Sequence, residues 1–271
     1  VPELPEVETV RRGIEPHLVG RQIHTVIVRE SRLRWPIPLS LTQNLIGQSF
    51  LAVGRRGKYL LLSCTQGTII LHLGMSGSLR LVTTNTPHGK HDHLDIVLNN
   101  GRCLRFNDPR RFGSVSWTQA NPLHHPLLEI LGPEPLESLF DGHYLFKHSR
   151  HRRTSVKAFI MNHRIVAGVG NIYANEALFL AGIHPRRSAS RIGLARYQRL
   201  AETTKTVLYN AIQAGGTTLR NFLTSDGKPG YFANQLQIYG RSAHPCPICG
   251  TPIRLERIGQ RASYYCTQCQ H

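Results

Sequence analysis

Four cysteines near the C-terminus form the tightest chemical pattern in the chain: Cys246-Pro-Ile-Cys249, sixteen intervening residues, then Cys266-Thr-Gln-Cys269. Two Cys-x2-Cys pairs at that separation supply the donor set of a closed tetrahedral zinc site. A closed site has no open position for substrate, so one structural Zn2+ is expected, and a tail this short needs the metal to fold. The competing uses are two disulfides or four free thiols. Arg254, Arg257 and Arg261 lie between the pairs and make the segment a basic β-hairpin suited to phosphate contacts. Cys64 and Cys103 stand alone in apolar stretches and read as buried thiols, which fits a reducing compartment.

The other end of the chain is Val1-Pro-Glu-Leu-Pro-Glu-Val-Glu-Thr9. Pro5 suits the first position of a helix, with Glu6 and Glu8 expected in its first turn, where the helix dipole favours anions. Val7, Val10, Ile14 and Leu18 give that helix one apolar face. If Pro2 is the mature terminus, its nitrogen is a secondary amine with a pKa of about 7.7–8.0. Such an amine can attack an aldehyde-like carbon and form a Schiff base that keeps its positive charge. Glu3 beside it can give or take a proton. A proline-rich arm with solvated acids is the other reading.

Several further stretches carry chemistry of lower specificity. Ala167-Gly-Val-Gly-Asn-Ile-Tyr173 is either a helix–helix turn or a phosphate site, with Asn171 able to cap the following helix. Arg55-Arg-Gly-Lys-Tyr59 puts three cations before an apolar strand, a pattern usually found on a solvated face. Met75 in Gly74-Met-Ser-Gly77 and Phe112 in Asp108-Pro-Arg-Arg-Phe-Gly113 either pack onto their own domain or project as a wedge beside Arg110. His91-Asp-His93 offers two metal-type ligands without a third nearby. Arg150 to Arg153 is a basic run, and Gly215 to Phe232 is a glycine-rich stretch of lid-like composition.

Composition sets the wider frame. In 271 residues, 33 Lys and Arg stand against 16 Asp and Glu, a formal charge of +17, which favours a polyanionic partner. Hydrophobic residues make up 40%, enough for real cores, and no apolar run reaches transmembrane length. Neither a membrane nor a secretory signal is indicated, so the cytoplasm is expected.

The elements that must position these groups are legible as patterns. Strand-like stretches run over Gln22–Arg29, Lys58–Cys64, Thr68–Leu73, Ser78–Val82, His93–Leu98, Arg102–Asn107 and Ser114–Trp117, joined by turns such as Asn99-Asn-Gly101. They suggest an antiparallel β-sandwich flanked by the N-terminal helix. Leu131-Gly-Pro-Glu-Pro-Leu136 breaks the pattern, and beyond it the period becomes helical, with helices over Ile172–Ala181 and Leu194–Ala214. The expected fold class is α+β, with four parts. Residues 1–130 form a catalytic sandwich domain, 131–137 a linker, 138–238 a helical domain with the glycine-rich lid, and 239–271 a zinc finger.

Pro2-Glu-Leu-Pro-Glu-Val-Glu-Thr9, the Gly-rich turn at Asn171 and the four cysteines, taken together and in this order, resemble the formamidopyrimidine-DNA glycosylase family over nearly the whole chain. The resemblance implies a helix–two-turn–helix in the helical domain and a bifunctional DNA glycosylase/AP lyase acting in a cleft between the domains. Its target would be an oxidised purine opposite cytosine in double-stranded DNA. It implies catalytic roles for Pro2, Glu3, Lys58 and Arg261. DNA contacts would fall to His91, Arg110, Arg152, Asn171, Met75 and Phe112, with Met75, Arg110 and Phe112 filling the gap left by a flipped base. A monomer in the bacterial cytoplasm, associated with the nucleoid through DNA, is expected. Two rivals stand beside this reading: an endonuclease VIII-like enzyme for oxidised pyrimidines, and a catalytically dead lesion-binding protein. The second turns on Val1. If Val1 records a GUG start and is removed, Pro2 is free; if it is retained, Pro2 nitrogen is a planar amide and no nucleophile.

Overall fold

The computed structural model describes residues 2–216 and 235–271. They divide into two compact units, residues 2–129 with 214–216, and residues 130–213 with 235–271. Most of the glycine-rich stretch expected as a lid, 217–232, lies outside the described residues.

The first unit opens with helix α1 (Leu4–Leu18), then β1 (Ile23–Val28), a short α2 (Leu41–Leu45), β2 (Phe50–Arg56), β3 (Tyr59–Cys64), β4 (Gly67–His72) and β5 (Ser78–Thr83). It continues through β6 (Asp92–Leu98), β7 (Arg102–Asn107), β8 (Ser114–Thr118) and the short α3 (Pro126–Glu129). Two four-stranded sheets form, in the orders β1-β6-β7-β5 and β2-β3-β4-β8, antiparallel throughout. Alternate residues such as Leu60 and Leu62 of β3, and Leu94 and Ile96 of β6, turn inward into one core, where Val7, Val10, Ile14 and Leu18 of α1 join them. This is the expected sandwich with its flanking helix.

Three local details differ from the sequence reading. Glu3 is the N-cap of α1, so Pro5 is the second helical residue rather than the first. A capping box closes this end: the Glu3 carboxylate accepts from the Glu6 N–H, and the Glu6 carboxylate accepts from the Glu3 N–H at 2.9 Å. Because the helix starts earlier, Glu8 falls beyond the first turn and serves an ion-pair cluster instead. Finally, the strand expected from Lys58 begins at Tyr59 and is preceded by β2, which leaves Gly57-Lys58 as a two-residue hairpin turn. Gly57 has φ +56°, at the first turn position, where a type II′ hairpin requires glycine.

The second unit contains α4 (Gly142–Ser149), α5 (Val156–Ile160), α6 (Asn171–Leu180), α7 (Leu194–Gln213) and the hairpin of β9 (Arg254–Ile258) and β10 (Arg261–Tyr265). Helix α6 is buried on nearly every side, from Ile172 to Phe179, and ends at Gly182 with φ +68°. Residues 131–137 belong to this unit. Gly132 N–H donates to His163 C=O at 2.8 Å, Ala167 N–H donates to Pro133 C=O at 3.0 Å, and a Cβ on Gly132 would come within 2.6 Å of the Ile165 backbone. Among the described residues, no helix is long and apolar enough to cross a membrane.

Candidate active site and zinc centre

Helix α1 and strand β2 run antiparallel, and three contacts fix their register. Gly20 N–H donates to Phe50 C=O at 2.9 Å, Arg11 donates to Val53 C=O at 3.0 Å, and Arg55 Nε donates to Glu8 at 3.1 Å. Six residues before Glu8 stands Pro2, about 9 Å further along at helical rise. Three residues after Arg55 stands Lys58, up to about 10 Å further at strand rise. Both therefore leave the Glu8–Arg55 pair towards the same end of the sandwich. Pro2 and Glu3 are buried there, and Gly216 lies against Glu6, where a Cβ would approach Oε1 to 3.1 Å. Burial alone would raise the Glu8 pKa, but the Arg12 hydrogen bond and the charges of Arg11 and Arg55 outweigh it. The carboxyl is held below its usual range.

The same end gathers the other candidates of this unit. Tyr59, next to Lys58, pairs with His72 across β3 and β4, their rings 4.7 Å apart. His72 Nδ1 accepts the Gly74 N–H at 2.9 Å. Desolvation, with the charges of Lys58 and Arg34, pushes its pKa down to about 4, so the ring is neutral at pH 7. Gly74, at φ +68°, brings the Met75 turn against the second loop: a Cβ there would meet the Gly113 nitrogen and the Phe112 carbonyl carbon at 2.5 Å. Asp108, fully buried, joins the two loops. One carboxylate oxygen accepts from Ser76 Oγ at 2.7 Å and the other from Gly113 N–H at 2.8 Å. Met75 and Phe112 remain 40% and 42% exposed, more than a packing role needs, and the Arg110 guanidinium lies 4.7 Å from the Phe112 ring centre. His93 donates to Asp108 C=O at 2.8 Å, while Asp108 N–H donates to His91 C=O at 3.0 Å, so His91 enters the same neighbourhood.

In the second unit, Arg152 is exposed after α4, and its carbonyl accepts from Ser190 N–H at 3.2 Å. Its neighbour Arg150 is spent internally, donating to Ile192 C=O at 2.9 Å and stacking 4.1 Å from Phe146. Asn171 does not cap α6 as expected. Gly170, in extended backbone, holds the cap position and makes Asn171 the first helical residue. The Asn171 Oδ1 is buried without a hydrogen-bond partner among the described residues. Arg261 opens β10 after Gly259 and Gln260, whose φ values of +55° and +62° make a tight turn at the hairpin tip.

The four cysteine sulfurs lie within 4.8 Å of one another, with Cys246 to Cys269 at 3.9 Å and Cys249 to Cys266 at 3.4 Å. Zn–S bonds of about 2.3 Å in a tetrahedron require sulfurs roughly 3.8 Å apart. The donor set and its spacing therefore fit zinc, and the metal's contribution when bound is to fold the finger. Among the described residues this is the one such ligand group, and His91 and His93 are not part of another.

Comparison with known proteins places this geometry. The chain matches the formamidopyrimidine-DNA glycosylase N-terminal domain over residues 1–115, its H2TH domain over 131–223, and the zinc finger found in FPG and IleRS over 243–271. The chain belongs to the formamidopyrimidine-DNA glycosylase family. A formamidopyrimidine-DNA glycosylase of Methylococcus capsulatus is 57% identical over 270 residues, covering all of both chains. Among solved structures, a Lactococcus lactis family member in complex with Fapy-dG-containing DNA aligns with a TM-score of 0.93 at 32% identity over the whole of both chains. A complex of the wild-type Lactococcus lactis Fpg with oxidised-pyrimidine-containing DNA aligns at 0.92 and 33%, again over both full lengths. Family membership makes the zinc finger and its one structural Zn2+ part of the fold, and identifies the protein as a DNA-binding repair glycosylase.

Sequence reasoning missed the buried polar groups that aim these residues. Lys157 on α5 is buried and donates to Ala262 C=O and Ser263 Oγ, both at 2.6 Å, just beyond Arg261. Asn175 accepts from Tyr264 N–H at 2.8 Å, and Glu176 accepts from the N–H groups of Gln237, Ile238 and Tyr239 at 2.8–3.0 Å. The one signal available was polar residues inside an otherwise apolar helix, Asn175-Glu176 between Tyr173 and Phe179.

Proposed function

We propose that this member of the family is a bifunctional glycosylase/AP lyase that removes oxidised purines, 8-oxoguanine and formamidopyrimidines, from duplex DNA opposite cytosine. The observation that carries the reading is the shared end of the first unit: the capped start of α1, the Lys58 turn and the paired loops of Met75 and Arg110–Phe112 all emerge there. Pro2 nitrogen, as a free secondary amine, forms a bond to C1′ of the damaged nucleotide while the bond from C1′ to the base breaks, and the amine proton passes to the departing base. Glu3 gives a proton to the ring oxygen as the sugar opens, leaving a cationic iminium. Loss of a C2′ proton then expels the 3′ phosphate, loss of a C4′ proton expels the 5′ phosphate, and water hydrolyses the iminium to free Pro2 and the sugar remnant, so that a one-nucleotide gap with phosphate ends remains.

Lys58 binds backbone phosphate and moves protons during these steps, and Arg261 holds the phosphates flanking the lesion and assists the last elimination. Met75 and Phe112 fill the space of the extruded base, and Arg110 bonds the orphaned cytosine. His91, Arg152 and Asn171 contact phosphates. The protein acts as a monomer in the bacterial cytoplasm, held to the nucleoid by DNA, and its working parts are the catalytic sandwich, the helical segment and the zinc finger. Met75 and the Arg110–Phe112 pair favour purines. The Lactococcus lactis relative seen on oxidised-pyrimidine DNA supports a second, pyrimidine activity. Borohydride reduction on an 8-oxoguanine duplex tests the core of the reading: protein with a free Pro2 amine should trap covalently. If it does not, the protein binds lesions without cutting. Incision of 8-oxoguanine against thymine glycol ranks the substrates.

A further inference from the structure

We infer that Arg55, clamped by Glu8, is the positioning residue that sets Lys58 relative to the helix carrying Pro2. The inference rests on the catalytic reading above and adds to it a residue whose guanidinium is engaged inside the protein.

Three cations in Arg55-Arg-Gly-Lys58 read from sequence as a solvated face, and for Arg55 that reading fails. Its side chain is only 12% exposed, as is that of Glu8, to which its Nε donates at 3.1 Å. The same guanidinium donates through NH1 to Gly57 C=O at 3.0 Å. One rigid fork thus spans from α1 to the hairpin turn. The Gly57 carbonyl and the Lys58 nitrogen belong to a single planar peptide unit. Holding that oxygen therefore fixes the plane from which Lys58 departs, at a turn whose glycine already sits at φ +56°.

Glu8 is itself immobilised. Arg11 Nε donates to both of its oxygens at 3.1 Å, Arg12 Nε donates to Oε1 at 2.9 Å, and Arg11 NH1 reaches Val53 C=O at 3.0 Å. The clamp therefore refers the Lys58 turn to the helix rather than to solvent. Only a guanidinium can do this, because its donors diverge in a fixed plane, whereas an ammonium is a point charge that cannot span both partners in this geometry. An error of about 1 Å in placing a reacting group can cost about a hundredfold in rate, so a device of this kind has a large lever on chemistry and a small one on binding.

The test is epistasis with Lys58, measured on full-length, zinc-loaded protein with a free Pro2. Single-turnover release of 8-oxoguanine from duplex is compared for wild type, Arg55→Lys, Arg55→Met, Lys58→Ala and each Arg55 variant combined with Lys58→Ala. Both Arg55 variants should slow release by about tenfold to a hundredfold. Arg55→Lys should behave like Arg55→Met although it keeps the charge, and affinity for undamaged duplex should stay within about threefold. In the Lys58→Ala background neither substitution should slow release further. Equal losses in both backgrounds would make Arg55 a general structural residue and overturn the inference, as would a folded Arg55→Lys protein with wild-type rate. If Arg55→Met melts before assay, Glu8→Gln replaces it, with a smaller loss that also vanishes in the Lys58→Ala background. If wild type itself neither releases base nor traps, the catalytic reading falls and takes the clamp with it. If wild type is active and the epistasis is absent, only the clamp falls.

Discussion

In the first unit the candidate residues hang from one end of a sandwich whose core runs from Val7 to Val115, and in the second the finger rests, among the described residues, on a cluster of five buried ones. Those five are Phe179, Ile238, Cys246, Ile253 and Cys266, and two of them are metal ligands. Polar anchors are present in both places but do different work. In the first unit Asp108 and the Glu8–Arg55 pair aim loops on a scaffold that apolar burial already holds. In the second, Lys157, Asn175 and Glu176 tie the finger to α5 and α6 where little apolar area is available, and zinc supplies the rest. The contrast teaches where each half of the molecule is vulnerable: one through aim, the other through folding.

The largest effect is expected from removing the metal. Chelation, or Cys249→Ser, should unfold the finger and lower duplex affinity by about a hundredfold or more, since structural zinc carries roughly 10–16 kcal/mol of apparent binding free energy. Limited proteolysis and metal analysis should show the finger cleaved and the first unit intact. Unchanged duplex binding by a zinc-free protein would refute the asymmetry. Next in size is Met75→Ala, which should cut excision from duplex by about tenfold while sparing a preformed abasic site, where less flipping is needed. Equal losses on both substrates would return Met75 to a packing role.

A smaller effect concerns pH. His72 has its pKa pushed down to about 4 in the fold, against about 6.5 when unfolded. Between those values the unfolded chain binds more protons, so stability falls as pH falls, by roughly 2 kcal/mol from pH 6.5 to 5. Denaturant melts of wild type and His72→Gln should converge in that window, and parallel curves would refute the assignment. The smallest expected change is in the salt response. Arg152→Ala should reduce the log–log slope of duplex binding by about 0.9, one phosphate contact, with preference for damaged DNA preserved. Loss of that preference with an unchanged slope would mean that Arg152 reads the lesion.

Much of the fold was legible because its signals are local. The apolar run of Tyr59–Cys64, the aliphatic residues of Asp92–Leu98, the Asn99-Asn-Gly101 turn and the Gly215-Gly216 stop all act within a few residues. The cysteine spacing was legible for the same reason. Strand β2 was not, since Phe50–Arg56 carries Gly54 inside and two arginines at its end, both poor strand signals. The positioning groups were hidden for a deeper reason. Asp108, Lys157 and Glu176 lie among the most buried side chains, yet a buried ion has no periodicity and its partner lies elsewhere in the chain: Asp108 meets Ser76, and Lys157 meets Ser263. Asn171 was assigned a cap because its residue type suits one, while the neighbouring glycine took the position instead.

Cys64 and Cys103 are two thiols in a protein whose proposed substrates are products of oxidation. Oxidants react with the thiolate, and burial pushes both groups up to about 12. At pH 7 that leaves about one molecule in 100,000 ionised at either position. Peroxide reaching the cell would thus meet, at these two positions of the first unit, thiols that are chemically asleep. The two thiols buried in the sandwich core are thereby spared the oxidants whose products the proposed activity removes.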